Sequence, residues 1–184
     1  IFDNLETSYK YDPANPTKEG QEARSKMHYA STLAGMSFAN AFLGINHALA
    51  HKTGGAFGLP HGLAISIAMK HVIKFNAVTG NVKRTPFPRY ETYTAQKDYA
   101  DIARYLGLQG KNDAELVEAL LAKIDQLFAG VEVVPTLSAN GVSKADFDKA
   151  LETLPDLVYN DQTTPGNPRQ PRLEEIRTLL SDQF

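Results

Sequence analysis

The 184-residue chain contains no cysteine and no tryptophan. Without cysteine there is no disulfide framework, no thiolate metal site and no thiol nucleophile. That suits a reducing compartment, and a cytoplasmic location is expected. An excess of either charge is missing too: 19 basic against 21 acidic side chains leave a net charge of −2. No basic field is available for nucleic acid or an anionic membrane, so neither is an expected partner. Strand patterning is nearly absent, since "VEVVP" is too short to build a sheet, and there are no internal repeats. The chain opens on Ile1-Phe2-Asp3 with no basic stretch leading into an apolar one. No signal peptide is expected, and a start on isoleucine is expected of a fragment or a processed product.

What is present reads as a globular helical domain. Hydrophobic residues make up 42% and charged residues 22%, which argues against disorder. The length suits one domain, residues 1–184. Between Ala30 and Ala50 no side chain is formally charged. That run is long enough to span a bilayer, which takes about 20 apolar residues. It also carries Ser31, Thr32, Ser37, Asn40, Asn46 and His47, so a central buried helix is expected instead.

Start and stop signals divide the chain into helices. Residues 1–11 read as the tail of an amphipathic helix. Thr17 is placed to cap a long helix over 18–42, and Gly44 allows a break. A short helix follows with His47 and His51, and "KTGGAFGL" reads as a Gly-rich turn. Pro60 stands at the start of a helix over 61–77, where its missing N–H costs nothing. Residues 76–97 read as an irregular loop. Residues 96–107 are helical with a stripe of Tyr99, Ile102, Ala103 and Leu106. Asn112 or Asp113 caps a helix over 113–129 with Leu116, Leu120, Ile124 and Leu127 along one side. Ser143 caps 144–153, "NDQTTPGNPRQP" is a turn-rich loop, and Glu174 to Ser181 form the last helix.

The chemistry concentrates in "INHALAHKTGGAFGLPHG", which holds His47, His51 and His61, three of the chain's five histidines. Imidazole is a common metal ligand, and two histidines at i, i+4 can grip one ion. The peptidase pattern H-E-x-x-H takes its base from the Glu, but Ala48 stands there. Isolated helix histidines are usually only hydrogen-bonded, and His28 and His71 belong in that class. Three clustered around a Gly-rich turn favour a site, although spacing does not say which pair binds. A structural zinc site takes about four protein ligands and a catalytic one about three. No Asp or Glu lies between Glu22 and Glu91, so a site built from this chain alone is ligand-poor.

"GMSFANAFLGINHALAHKTGGAFGLPHG" resembles the signature of the iron-dependent (group III) alcohol dehydrogenases, G-x-x-H-x-x-A-H-x-x-G followed by P-H-G. The resemblance covers essentially the whole chain. "ARSKMHYASTLAGMSFANAFLG", "RYETYTAQKDYADIARYLGL", "FPRY" and "DQTTPGNPR" look most like the alcohol dehydrogenase half of bifunctional aldehyde–alcohol dehydrogenases. The resemblance implies an all-α multihelix domain, the C-terminal domain of the dehydroquinate synthase-like fold. It implies that His47 and His61 are two of four metal ligands, the others being an Asp and a His spaced D-x-x-x-H upstream. It implies that His51 is no ligand but sits by the nicotinamide and substrate as a proton relay. Phe38 matches a residue lining the substrate cleft, with core packing as the alternative. Thr163 stands where the family usually has a Cys near the substrate.

The implied activity is NAD-linked interconversion of a short-chain primary alcohol, ethanol first among candidates, and its aldehyde. Fe(II) is the expected metal, with Zn(II) also compatible with N/O ligands. The implied partners are a nucleotide-binding domain of the same enzyme, a small alcohol or aldehyde, and further copies in a homo-oligomer or filament. No G-x-G-x-x-G follows a strand in this chain. Two other readings remain open: a catalytically silent helical assembly module, and a hydrolase with a histidine metal site.

Overall fold

In a computed structural model, which describes residues 1–80, 82–84 and 92–184, the regular structure is helical. No strand occurs among the described residues, only an isolated antiparallel bridge between Arg84 and Arg169. Among the described residues, nine α-helices run in order: α1 (Leu5–Tyr9), α2 (Lys18–Ala41), α3 (Ile45–Phe57), α4 (His61–Asn76), α5 (Ala95–Tyr105), α6 (Asp113–Gly130), α7 (Lys144–Ala150), α8 (Leu154–Tyr159) and α9 (Leu173–Ser181). Short 3-10 turns cover Ser138–Asn140 and Thr164–Gly166. The "FPRY" segment lies outside the described residues.

Capping chemistry sets most boundaries. The Thr17 hydroxyl accepts from Gly20 N, the Asn112 side chain from Glu115 N, and the Ser143 side chain from Asp146 N. Each satisfies an N–H that the first helical turn leaves free. The helix α8 was not separated from its surroundings in the sequence. Pro155 in its first turn suits a helix start.

The core has three clusters. Ile45, Ala48 and Leu49 of α3 meet Ala68 and Val72 of α4, Leu154 and Val158 of α8, and Ile176, Leu179 and Leu180 of α9. The second cluster joins Ala100 and Ala103 of α5 to Leu116, Leu120, Ile124 and Phe128 of α6. Here Ile102 points outward, 46% exposed, because Ala100 takes the inner position. The third gathers Ile67, Leu137, Val142 and Phe147.

Two expectations fail. The first is the Gly-rich turn. Helix α3 runs straight through Gly54 and Gly55, and only Gly58, at φ 66°, turns the chain back. With the N–H of Gly58 bonded to Gly54 O, a Gly-ended helix is the local solution. The second is the uncharged run Ala30–Ala50. Its α3 half is buried, but α2 buries only Gly20 and Ala23. Tyr29, Leu33 and Met36 are 61–66% exposed. No described helix is long and apolar enough to cross a membrane.

Between α2 and α3 the chain turns at Phe42, with φ 64° and ψ −177°. This backbone region is essentially reserved for glycine and costs of order 1–3 kcal/mol for other residues. The bend places the end of α2 beside the start of α3, and so Phe38 beside His47.

Candidate functional site

Burial of Ile45, Ala48 and Leu49 fixes the roll of α3. His47 and His51, one turn apart, are thereby left on its rim. The tight Gly58–Pro60 connection starts α4 at His61, against that rim. The three rings close into a triangle, with centroids 5.5 Å apart for His47–His61, 5.7 Å for His51–His61 and 6.0 Å for His47–His51. The sequence suggested this gathering, and the structure brings it about through a helix rather than a flexible turn. Phe38 joins it, 6.5 Å from His47 between ring centroids and 48% exposed.

The ring spacing suits ligation. Two imidazoles on one tetrahedral ion, with metal–N bonds of about 2.1 Å, hold their centroids about 5.3 Å apart. The His47–His61 pair is closest to that separation. Burial lowers the pKa of His47, and the neighbouring His61 and His51 lower it further, against the opposing pull of Asp161. A neutral ring is the form a metal ligand requires. Among the described residues, no group of three or more His, Asp or Glu is arranged to hold an ion.

A carboxylate does reach the cluster, although none is near in sequence. Asp161, on the turn after α8, lies 3.3 Å through Oδ2 from His51 Nδ1 and 2.9 Å from Lys52 Nζ. Its other oxygen, Oδ1, accepts from Thr163 N at 2.9 Å and from the Thr163 hydroxyl at 2.7 Å. Burial would raise this carboxyl's pKa. Hydrogen bonds from Lys52, Thr163 and His51 outweigh that and hold it below the usual carboxylate range. The side chain of Asp161 is 5% exposed. Thr163 is buried, its hydroxyl committed to Asp161.

The rest of "DQTTPGNPR" rivets this turn to the domain. The Thr164 hydroxyl donates to Val158 O. Asn167 and Asn76 exchange amide hydrogen bonds of 3.1 and 2.9 Å, both side chains being buried. The Arg169 guanidinium lies 3.9 Å over the Phe75 ring, donates to Phe75 O and pairs with Glu175. Asp161 and Lys52 are the site residues sequence reasoning missed.

An all-helical domain with a histidine triangle at one rim and a fully bonded buried carboxylate behind it defines the class. The profile described as "Fe-containing alcohol dehydrogenase family, C-terminal" matches residues 1–184. The chain belongs to the iron-containing alcohol dehydrogenase family and corresponds to its C-terminal domain. It is 38% identical over 182 residues to the bifunctional aldehyde-alcohol dehydrogenase AdhE of Escherichia coli, covering 98% of this chain and 20% of that protein. It is 36% identical to the NADPH-dependent butanol dehydrogenase of Clostridium saccharobutylicum, covering 98% of this chain and 40% of that one. Among solved structures, the iron-containing alcohol dehydrogenase of Thermococcus thioreducens superposes with a TM-score of 0.73 at 30% identity. A 1,3-propanediol oxidoreductase gives 0.77 at 29%. Both matches cover 100% of this chain and 42% of the other. The chain thus spans about a fifth of the bifunctional relatives and two fifths of the single-function ones.

Proposed function

We propose that residues 1–184 contribute half of the active site of a metal-dependent, NAD-linked alcohol dehydrogenase acting on a short-chain primary alcohol such as ethanol. The single observation that carries this is the triangle of three imidazoles within 6.0 Å of one another on the family's motif. His47 and His61 hold the ion, Fe(II) or Zn(II), through neutral rings. A divalent ion, if bound there, would supply Lewis-acid chemistry for the substrate oxygen, and a bound nicotinamide would supply the hydride chemistry. His51 carries the proton between the substrate hydroxyl and solvent. Phe38 lines the cleft beside His47 and shapes the pocket for the alkyl chain. Thr163 stands one step behind, reaching the site through Asp161. The remaining ligands and the nucleotide-binding surface come from elsewhere in the same enzyme.

The test uses the full-length enzyme. His47→Ala and His61→Ala should each lose metal and activity together. His51→Ala should keep the metal while turnover falls. Normal metal content in the His61 variant would sink the ligand assignment.

The exposed face of α2 favours a second reading, in which the chain by itself is a silent helical packing module. On that reading the isolated domain has no dehydrogenase activity and self-associates through Tyr29, Leu33 and Met36. Concentration-dependent sedimentation of the domain reads this directly.

A further inference from the structure

We propose that Asp161, clamped by Thr163 and Lys52, is the positioning residue for His51, fixing its ring orientation and placing the neutral ring's hydrogen on Nδ1. The inference rests on the reading of His51 as the proton-handling group and adds the device that aims it.

Hydrogen-bond supply decides which ring nitrogen carries the hydrogen. An ionised carboxylate offers about four lone-pair sites and no donor. In Asp161 all four are used: Oδ1 by the Thr163 N–H and hydroxyl, Oδ2 by Lys52 Nζ and His51 Nδ1. Because Oδ2 can only accept, the ring nitrogen facing it must carry a hydrogen. In the neutral ring, Nε2 is then left bare. The clamp has two arms of different origin. Lys52 is the next residue of α3, so it moves with His51. Thr163 belongs to the turn after α8, which Thr164, Asn167 and Arg169 anchor to the domain. His51 is therefore tied across 110 residues of chain to a rigid part of the core.

Thr163 gains a specific role. The resemblance puts a Cys at this position, and a thiol is a weak hydrogen-bond donor. The hydroxyl gives Asp161 Oδ1 a second strong donor at 2.7 Å. Without Thr163, the Asp161 carboxylate would be held through Oδ2 alone. The Thr163 brace keeps one oxygen for itself and leaves the other facing the ring.

The decisive measurement is the tautomer of His51 by nitrogen NMR on the full-length protein, zinc-loaded and labelled with 15N-histidine, with His51→Asn used for assignment. The wild type should show Nδ1 protonated and Nε2 bare. Asp161→Asn should lose that preference, lower kcat about 10–100-fold with ethanol and NAD, and leave KM and metal content unchanged. Thr163→Val should move in the same direction, and Thr163→Ser should restore wild-type behaviour. A wild-type His51 with its hydrogen on Nε2 overturns the proposal, whatever the variants do and even if a variant fails to fold. Equal impairment of the Ser and Val variants overturns the Thr163 arm. If the tautomer result holds but His51→Asn keeps full turnover, the catalytic reading of His51 falls and the positioning stands.

Discussion

Gly166 is the point where the turn carrying Asp161 presses on the segment joining α2 to α3. A Cβ added there would lie 2.9 Å from Phe42 Cδ1 and 3.2 Å from the carbonyl carbon of Leu43, with the Leu43 oxygen closer still. Carbon atoms settle at about 3.5–4.0 Å, so the ring contact is roughly 0.8 Å too short. Phe42 can shift its ring, but Leu43 presents backbone and cannot step aside. The joint must open, and it already holds Phe42 in a backbone region that disfavours side chains. Gly166→Ala should cost about 3 kcal/mol, the upper end for overpacking because the obstacle is main chain. For a domain of this size, 1 kcal/mol moves the melting temperature by about 2–4 °C, so Tm should fall by about 6–12 °C. Gly55→Ala is the control. Gly55 is exposed on α3 with nothing near its would-be Cβ, and alanine should stabilise the helix by about 0.5–1 kcal/mol. Thermal unfolding followed by far-UV circular dichroism reads both. A Gly166 variant melting with the wild type would refute the close-approach argument.

Two pH predictions follow from groups with opposite shifts. Burial raises the Tyr93 phenol to about 12, and its hydroxyl donates to Asn76 O at 2.5 Å. A raised folded value means that its stabilisation is complete below about 10 and is lost between there and about 12. Two units amount to about 2.7 kcal/mol, or about 1–2 kcal/mol after allowing for the ring's partial exposure. At pH 7, Tyr93→Phe should cost about 1 kcal/mol through loss of the hydrogen bond to Asn76 O, and it should show a flatter alkaline limb in urea titrations. Parallel limbs would contradict the assignment. Asp161 has the opposite sign: its folded value is depressed, so its stabilisation is complete above about 4 and is lost as pH falls below that. Asp161→Asn should unfold with a shallower acid limb than the wild type.

The legible and illegible features differ in the range of their causes. Caps at Thr17, Asn112 and Ser143 act within one turn, and each was readable from a side chain three residues from its partner. The family motif was also local, with His47, His51 and His61 inside one short stretch of chain. What the sequence misled on was longer in range. Gly54 and Gly55 looked like a turn, but burial of Leu49 and Thr53 carries α3 through them. The uncharged face of α2 looked like core, because apolar composition says that a surface seeks cover and not where the cover comes from. Asp161 was hidden by 110 residues of intervening chain. The absence of carboxylates from residues 23–90 is a true statement about sequence and a poor guide to the neighbourhood of His51.

That one carboxylate also bears on where the rest of the site resides. A divalent ion held by two neutral imidazoles keeps its full charge and needs further donors, preferably anionic. Asp161 is the acidic side chain bonded to the histidine cluster, yet both of its oxygens are fully engaged by Thr163, Lys52 and His51. Recruiting it as a ligand would strip Lys52 of its partner and release the Thr163 hydroxyl in a buried turn, at about 1–3 kcal/mol for each orphaned group. The carboxylate beside the triangle is thus spent on aiming His51. On the proposed ligand reading, Asp161 is not available to balance an ion on His47 and His61, which border an open rim where His61 and Phe38 are exposed.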